Sequence, residues 1–397
     1  MSLVIALARG VGTQATRTTT RRTTRRRSTS VSVSVSSVSS VSSVSSVRSF
    51  TTHKVFHIEG ACLPRTRTRT RLRPRVPTPG PPAGPGDTKA RITSGGVRTR
   101  VRMQSGTSGV RGAAAQPPQE GFTEPDQVKR FGDAKKRKDP RVLDIDSCYA
   151  SEWMKGARIL ITGANRGIGL ALAKEAARCG AVVVGACRKT SKELDNVGGV
   201  EVIEGVEVTS EEACEALADK LKDKQPLDVV VNNAGYFPDV SDDFTNGLNF
   251  SENLKQYDIC AVGPLRVTAA LVNKGCIKQP GGKVVNITSQ GGSALWRQVQ
   301  NANKGGDYGH HMCKAAANMC GVLMAEELRP KGIAVANLHP GFNRTEMTKK
   351  YEHIWDIEGA VESEVGAKRV MHEIGRCGLL DSGAPFINCE DGLLIPY

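Results

Sequence analysis

The stretch Thr162-Gly163-Ala164-Asn165-Arg166-Gly167-Ile168-Gly169 decides the fold of this chain of 397 residues. It follows a short apolar run, Arg158–Ile161, and leads into a stretch typical of a helix, Leu170–Arg178. Glycines between a strand and a helix let the backbone approach a pyrophosphate, and the free N–H groups at the helix start stabilise its charge. A glycine motif alone is a weak signal, but this one has the strand-to-helix context that it needs. The stretch therefore predicts a dinucleotide-binding protein; the alternative is that the glycines only form a turn.

Beyond Trp153 short apolar runs alternate with longer helical patterns, which is typical of βαβ units. The predicted strands are Arg158–Ile161, Ala181–Ala186, Glu201–Val208, Asp228–Val231, Lys283–Ile287, Ile333–Leu338 and Ala384–Asn388. The predicted helices are Ile168–Cys179, Ser210–Lys224, Glu252–Asn273, His310–Leu328 and Gly359–Ile374. The strand runs are nearly continuous in apolar content, as expected for parallel strands covered on both faces. Residues 153–397 therefore predict one α/β domain with a doubly wound (Rossmann) parallel seven-stranded sheet.

The first 118 residues have a different composition. They hold 21 Lys and Arg against two acidic residues, together with a Ser/Val repeat at 30–47 and a Pro/Gly run at 77–86. Such a low-complexity segment buries too little apolar surface to offset its ordering entropy. Basic, Ser-rich, acid-poor N-termini are typical of transit peptides, and we expect a plastid, with a mitochondrion as the alternative. A basic arm for RNA or membrane and a mispredicted gene start stay open, and residues 119–152 are interpreted as a linker or peripheral arm.

Composition also argues against several classes of function. The first 118 residues carry a net charge of +19 and the whole chain +15, so the rest of the chain, at −4, is mildly acidic and nucleic-acid binding loses its main electrostatic support. The eleven cysteines include no CxxC pair and no zinc-ligand spacing, which favours reduced thiols and no metal site. No run of 18 apolar residues occurs, so no membrane span is expected.

Further motifs follow the glycine stretch in order, and together they resemble the short-chain dehydrogenase/reductase family. Asn232-Asn233-Ala234-Gly235 ends the fourth predicted strand, and Asn286-Ile287-Thr288-Ser289 ends the fifth. Lys314–Met319 lies in the next predicted helix, and His339-Pro340-Gly341-Phe342 ends the sixth strand. The match covers about residues 155–397, and the closing stretch Phe386–Pro396 resembles the C-factor-like branch.

The resemblance implies a nicotinamide dinucleotide as cofactor. The implied cofactor-binding residues are Gly163, Asn165, Arg166, Gly167, Ile168, Gly169, Arg188, Glu207, Val208, Asn233, Ala234, Gly235, Lys314, Pro340 and Gly341. The second strand ends in Gly185-Ala186-Cys187-Arg188-Lys189, without the acid that binds the ribose hydroxyls of NAD. Arginine grips a phosphate through paired donors, so Arg166 and Arg188 favour NADP(H) over NAD(H). The alternative is that both are solvated surface cations.

The resemblance also implies hydride transfer between the nicotinamide and a small carbonyl or alcohol substrate, assisted by Asn, Ser, Tyr and Lys. Ser289 matches the serine that polarises the carbonyl, although it could simply cap the strand end. Lys314 matches the lysine that holds the nicotinamide ribose. Four residues before Lys314, where the family has its tyrosine, stands His310; Tyr308 falls on a different helix face. Cys260 stands where the family has its asparagine.

Two interpretations of His310 stay open. As a neutral imidazole it could donate a hydrogen bond and then a proton to the substrate oxygen, since the Lys314 cation disfavours imidazolium. It could also be a partly exposed helical histidine beside His311. Two function classes follow: a short-chain oxidoreductase with catalytic residues Ser289, His310 and Lys314, or a nucleotide-binding sensor or assembly partner without catalysis. Trp296 and a polar loop at 297–306 are predicted to form the pocket rim, and family resemblance suggests a homo-oligomer.

Overall fold

The computed structural model describes residues 121–397, and at its centre lies a parallel sheet of seven strands. The described residues form nine strands, seven in this sheet and two in a separate pair. In chain order they are Arg158–Thr162 (β1), Val182–Ala186 (β2), Val200–Ile203 (β3), Val229–Asn232 (β4), Lys283–Ile287 (β5), Ala334–His339 (β6), Asn343–Arg344 (β7), Val361–Glu362 (β8) and Phe386–Asn388 (β9). The large sheet has the order β3-β2-β1-β4-β5-β6-β9, with parallel neighbours throughout, while β7 and β8 form a separate parallel pair. The predicted doubly wound fold is thereby confirmed. Because the chain reverses its direction across the sheet between β1 and β4, a crevice opens there at the carboxyl edge.

Eleven α-helices lie among the described residues. They are Gln127–Arg137 (α1), Pro140–Leu143 (α2), Gly167–Arg178 (α3), Lys192–Asp195 (α4), Glu211–Leu221 (α5), Phe250–Tyr257 (α6), Gly263–Asn273 (α7), Ala294–Gln300 (α8), Tyr308–Leu328 (α9), Trp355–Glu358 (α10) and Ser363–Arg376 (α11). None of the described helices is long and apolar enough to cross a membrane.

Both faces of the sheet are covered, which explains the continuous apolar strands. On one face Leu172 of α3 and Met371 of α11 are fully buried against β1. On the other face Leu217 of α5 and Leu271 of α7 pack against the same strands. Each buried leucine of this kind contributes about 1.5–3 kcal/mol of hydrophobic free energy, so the two layers fix the sheet.

Three element predictions differ from the structure. The strand predicted to reach Val208 ends at Ile203, because the chain turns at Gly205, whose N–H bonds Arg188 O at 3.1 Å. The helix predicted as continuous over 252–273 contains a π-helical turn, Asp258–Val262, between α6 and α7. The loop predicted at 297–306 begins as α8, because Ser293 caps this helix and the Trp296 side chain is buried.

A ladder of buried asparagines ties the carboxyl ends of β4, β5 and β6 together. Asn232 donates to Asn286 Oδ1 at 3.0 Å, and Asn286 donates to Asn337 Oδ1 at 3.0 Å. Asn337 in turn donates to the backbone oxygen of Asn318 in α9 at 3.0 Å. Since a buried amide is costly without partners, this ladder fixes the register at which α9 sits on the sheet.

Residues 121–143 form an ordered arm, which packs on the last part of the chain. Thr123 N donates to Leu394 O at 2.9 Å, and Leu394 N donates to Gly121 O at 3.1 Å. Helix α1 is capped by Asp126, whose carboxylate accepts from the backbone of the first turn. The predicted basic leader at 1–118 lies outside the described residues.

Candidate functional site

The glycine turn between β1 and α3 is packed too tightly for a side chain at Gly163 or Gly169. A Cβ on Gly169 would lie 2.1 Å from Gly163 O and 2.5 Å from Asn233 Nδ2. Gly163 itself has φ +66°, and a Cβ there would lie 2.9 Å from Ala234 Cα. At Gly167, by contrast, the nearest atom is a methyl carbon of Thr345 at 3.9 Å. The turn is therefore closed towards the sheet and open towards the loop after β6.

Asn233 and Ala234 are placed against this turn by hydrogen bonds to β1. Asn233 Nδ2 donates to Thr162 O at 2.9 Å, and the N–H groups of Asn233 and Ala234 both donate to Thr162 Oγ1 at 3.0 Å. Gly235 follows directly, half-buried. The two motifs, 70 residues apart in sequence, thus form one wall at the point where the strand order reverses.

Helix α3 begins without a side-chain cap. Its N-cap residue, Arg166, is exposed and makes no capping hydrogen bond, whereas Ser210 caps α5 and Asn249 caps α6. The free N–H groups and the positive end of the helix dipole together bind anions well. An open turn beside an uncapped helix of 12 residues fits the pyrophosphate of a dinucleotide. The buried packing of Ile168 on the core holds that turn in place.

The predicted adenosine end of the site carries two cations and one acid. Arg188 is exposed, and its guanidinium lies 3.5 Å from the Glu207 carboxylate, which is itself partly exposed. Val208 is buried beneath them. Asn165 Nδ2 donates to Lys189 O at 3.0 Å, which links the glycine turn to the end of β2. These residues come together at one edge, as the sequence analysis expected.

Ser289 and Lys314 converge on the end of β5. The Ser289 hydroxyl oxygen accepts from Gly291 N at 3.0 Å, so the capping role considered for this serine is present. Because the hydroxyl accepts in this bond, its own proton stays available to a substrate oxygen. Lys314 Nζ donates to Ile287 O at 3.2 Å, two residues before Ser289.

His310 lies beside the same turn, four residues before Lys314 on α9. Its ring packs on Phe237, with centroids 4.5 Å apart, and its Nε2 lies 3.0 Å from where a Gly291 Cβ would stand. Its Nδ1 is buried without a hydrogen-bond partner. Burial, reinforced by the Lys314 cation, lowers the pKa of His310 well below its usual value, so the imidazole is neutral at pH 7.

The Tyr308 side chain contacts a different part of the chain, the loop that contains Phe244. Its ring meets Phe244 edge-on at 5.6 Å, and its N–H donates to Asp242 Oδ1 at 3.1 Å. It therefore packs on the loop at 242–244 as a flanking aromatic residue.

Cys260 lies in the π-helical turn, directly under the wall made by Gly235. Its sulfur accepts from Tyr236 N at 3.4 Å and lies 3.5 Å from Tyr236 O. A hydrogen bond from the Cys313 thiol, opposed by burial and helped by Lys314, lowers the pKa of Cys260. The same hydrogen bond together with burial raises the pKa of Cys313. Among the described residues no group of three or more His, Cys, Asp or Glu side chains could hold a metal ion.

The loop after β6, which contains Pro340 and Gly341, rests on a buried ion pair. Phe342 N donates to Glu390 Oε1 at 3.1 Å, and a Cβ on Gly341 would lie 2.6 Å from Glu390 Cγ. Arg130 of the arm donates two hydrogen bonds to Glu390 Oε2, from Nε at 3.0 Å and from Nη2 at 2.9 Å. Both side chains are 4% exposed. Burial raises the pKa of Glu390, but Arg130 and Arg369 outweigh it and lower that pKa to about 2.

Sequence reasoning missed the residues that support the site from outside the motifs. Arg130 looked like one cation in a mixed-charge run, and Glu390 like part of a closing motif. Arg297 of α8 lies in the stretch 297–306 that was predicted as the pocket rim, although no role was predicted for it individually, and Lys350, beyond the β6 loop, carried no pattern. No local signal could have identified Arg130 and Glu390 as partners, because they lie 260 residues apart.

Comparisons with known proteins agree with this geometry. The family model described as short chain dehydrogenase matches residues 157–354. A 1-hydroxy-2-glutathionyl-2-methyl-3-butene dehydrogenase of Rhodococcus sp. is 34% identical over 197 residues, which are 49% of this chain and 80% of that protein. C-signal of Myxococcus xanthus is 35% identical over 132 residues, or 31% of this chain and 69% of that protein.

Among solved structures, the carbonyl reductase Sniffer of D. melanogaster has a similar fold. Its TM-score is 0.50 at 23% identity, and the match covers 61% of this chain and all of the other. This likeness concerns the fold, which is the one described above.

Proposed function

Because this chain belongs to the short-chain dehydrogenase family, we propose that it is an NADP(H)-dependent oxidoreductase that interconverts small carbonyl compounds and alcohols. The observation that carries the proposal is the glycine turn at Gly163–Gly169, open beside an uncapped helix, with Ser289 and Lys314 at the same sheet edge. When bound, the nicotinamide supplies or accepts the hydride, and the protein orients the substrate and moves the proton.

The preference for NADP(H) rests on charge at the end of β2. This strand end offers Arg188 and no acid, and Arg166 stands exposed at the start of α3. The Arg188–Glu207 pair is largely exposed, so releasing the guanidinium to a 2′-phosphate costs little. A guanidinium then binds that phosphate through two parallel hydrogen bonds.

Three side chains carry the proposed chemistry. Ser289 donates its free proton to the substrate oxygen and so polarises the carbonyl. Lys314 binds the ribose hydroxyls next to the nicotinamide, and its charge stabilises the developing alkoxide. His310, held neutral, supplies the proton to that oxygen as the hydride reaches the carbon, and solvent replaces it afterwards.

A second function is favoured by two specific observations. Cys260 stands in the π-helical turn with its sulfur bonded to Tyr236, and His310 Nδ1 has no partner that would orient the ring. Intact cofactor motifs beside the two altered positions, Cys260 and His310, also suit a nucleotide-binding sensor or assembly partner without catalysis.

One assay with the full chain separates the two functions. NADPH and NADH are titrated by fluorescence, and NADPH loss is then followed against a panel of aldehydes, ketones and quinones. We expect tighter binding of NADPH, which Arg188→Ser weakens while Lys220→Ser, on the exposed side of α5, does not. Turnover supports the oxidoreductase; binding without turnover of any compound supports the sensor. Failure of both dinucleotides to bind refutes both functions.

We also propose that the protein is a homo-oligomer and that residues 1–118 direct it to a plastid, or else to a mitochondrion. The oligomer is supported by large apolar side chains left exposed on the helices beside the site: Leu254, Leu265, Met312, Met319 and Leu323. The targeting proposal rests on composition, and a fluorescent fusion of residues 1–118 tests it. Retention of that fusion in the cytosol would refute it.

A further inference from the structure

Basic side chains surround His310, which lies beside the turn that Ser289 caps. Four neighbouring groups act on His310, namely Lys314, His311, Arg297 and Lys350, and each of them disfavours its protonation. Burial, with help from Arg297, likewise lowers the pKa of His311 to about 4. Both histidines are thus neutral, and the basic side chains beside them are Arg297, Lys350 and Lys314.

Arg297 lacks a negative partner among the described residues. Its guanidinium bonds only neutral oxygens: Asn301 Oδ1 at 2.5 Å, Gln290 O at 3.4 Å, and Gln300 Oε1. Its Nε is buried with no acceptor at all. Within the part of the chain that the structure describes, no carboxylate lies within ion-pair distance of it. A partly buried arginine without a counter-charge is costly, and burial lowers the pKa of Arg297 to about 10.

The bond to Gln290 places Arg297 at the candidate site. Gln290 begins the short turn, 290–292, that Ser289 caps and against which His310 and His311 pack. His311 Nδ1 lies 3.0 Å from Gly291 O in the same turn. Arg297 is therefore attached to the segment that carries the proposed carbonyl-polarising serine.

Lys350 adds a second cation on the Phe237 side. Its ammonium lies 3.8 Å from the centroid of the Phe237 ring, the ring that contacts His310, and it donates to Pro238 O at 2.8 Å. Asp239 and Asp307 act on this lysine, but neither forms an ion pair with it in the described part of the chain.

We propose that the substrate carries a carboxylate, which Arg297 binds beside the reacting carbonyl and Lys350 attracts. This inference rests on the proposed function, because it names the substrate class of the same site. The planar fork of a guanidinium matches a carboxylate, which it binds through two parallel hydrogen bonds. Low water content around a half-buried guanidinium strengthens this pairing.

The test compares aldehydes that differ only in charge. With NADPH and the full-length protein, we expect kcat/KM for 4-formylbenzoate to exceed that for methyl 4-formylbenzoate by about tenfold or more. The methyl ester activates its aldehyde more than the carboxylate does, so intrinsic reactivity works against this result. The preference should fall as salt rises. Equal kcat/KM values, or a preference for the ester, would overturn the proposal.

Variants test which side chain causes the preference for the carboxylate over the ester. Arg297→Gln should reduce the carboxylate-to-ester ratio about tenfold, and Lys350→Gln should reduce it less. Lys349→Gln is the matched control, because this neighbouring lysine is 64% exposed and pairs with Glu346 only at 4.0 Å. A ratio that is unchanged in folded Arg297→Gln contradicts the assignment, and Arg297→Lys provides a second variant if the first does not fold.

A binding experiment keeps this inference distinct from the proposed function. Calorimetry with benzoate and benzamide, on the protein with and without NADP⁺, needs no turnover. If benzoate binds more tightly and no aldehyde is reduced, the oxidoreductase proposal fails and the carboxylate site stands. If both aldehydes are reduced equally and benzoate has no advantage over benzamide, the carboxylate site is refuted and the oxidoreductase proposal stands.

Discussion

Replacing Arg130 by Met tests whether the arm holds the loop that contains Gly341. The change removes the two hydrogen bonds from Arg130 to Glu390, at 3.0 and 2.9 Å, together with those to Glu124 O, Gln127 and Gln290, and leaves the Glu390 carboxylate buried. Loss of one partner from a buried ion pair costs about 3–5 kcal/mol of unfolding free energy. Arg369 still acts on Glu390, so we expect about 3 kcal/mol. Urea unfolding followed by circular dichroism at pH 7 measures this value.

The pH dependence of the same variant follows from the pKa of Glu390. In the folded protein this pKa is about 2, below that of the unfolded chain. The ion pair therefore stabilises the protein fully above about pH 4.3, the unfolded value, and its contribution is lost as the pH falls towards 2. In Arg130→Met burial raises that pKa, and the carboxyl group takes up a proton more readily. The stability difference from the unmodified protein should consequently shrink between pH 7 and pH 4.

Two further variants complete this experiment. Arg130→Met combined with Glu390→Gln should recover at least about 1 kcal/mol relative to the single variant, because the stranded charge is gone and an acceptor for Phe342 N remains. Lys136→Met, on the same helix, should change the stability by less than about 0.5 kcal/mol, since its pair with Asp133 is exposed. A loss below about 1 kcal/mol in Arg130→Met, or a double variant as unstable as the single one, would refute the reasoning.

Three other outcomes are expected. Gly169→Ala should abolish NADPH binding, seen by fluorescence titration, because its Cβ would overlap Gly163 O; Gly198→Ala, with open space around it, should bind normally. If His310 donates the proton as a neutral imidazole, kcat/KM should not fall on the acid side between pH 6 and 8. His310→Ala should lower kcat/KM by about 100-fold. An inflection near pH 6.5 that His310→Ala removes would contradict the low pKa of His310. Leu323→Lys should shift the mass measured by light scattering towards the monomer, because Leu323 is 62% exposed on α9; an unchanged mass would place the subunit contact elsewhere.

The sequence predicted the sheet and the glycine turn after β1 well, because both depend on local patterns. Apolar runs such as Lys283–Ile287 coincide with the observed strand, and the Gly163–Gly169 turn forms with the neighbours expected of it. The prediction that Lys314 disfavours a charged His310 gave the right sign, but burial is the larger cause. Burial depends on Phe237, which comes from a distant loop.

The remaining features depend on pairing across the chain. The π-helical turn at Asp258–Val262 keeps the apolar pattern of a helix, so the sequence shows no break there. The polar stretch after Trp296 was interpreted as loop because its outer face is hydrophilic, although Ser293 caps a helix at its start. The Asn232 ladder resembles ordinary strand-end residues until the three strands are adjacent.

The arm also determines when the domain can be completed during synthesis. The Thr123 hydroxyl donates to Asp391, 268 residues later in the chain, and Arg130 donates to Glu390, 260 residues later. The first described helix must therefore leave the ribosome long before its partners exist, and its buried polar groups stay hydrated until the last strand is made. Closing so long a loop is a late and slow step, so the nascent chain carries an unfinished loop at Pro340 and Gly341 until Glu390 has been made.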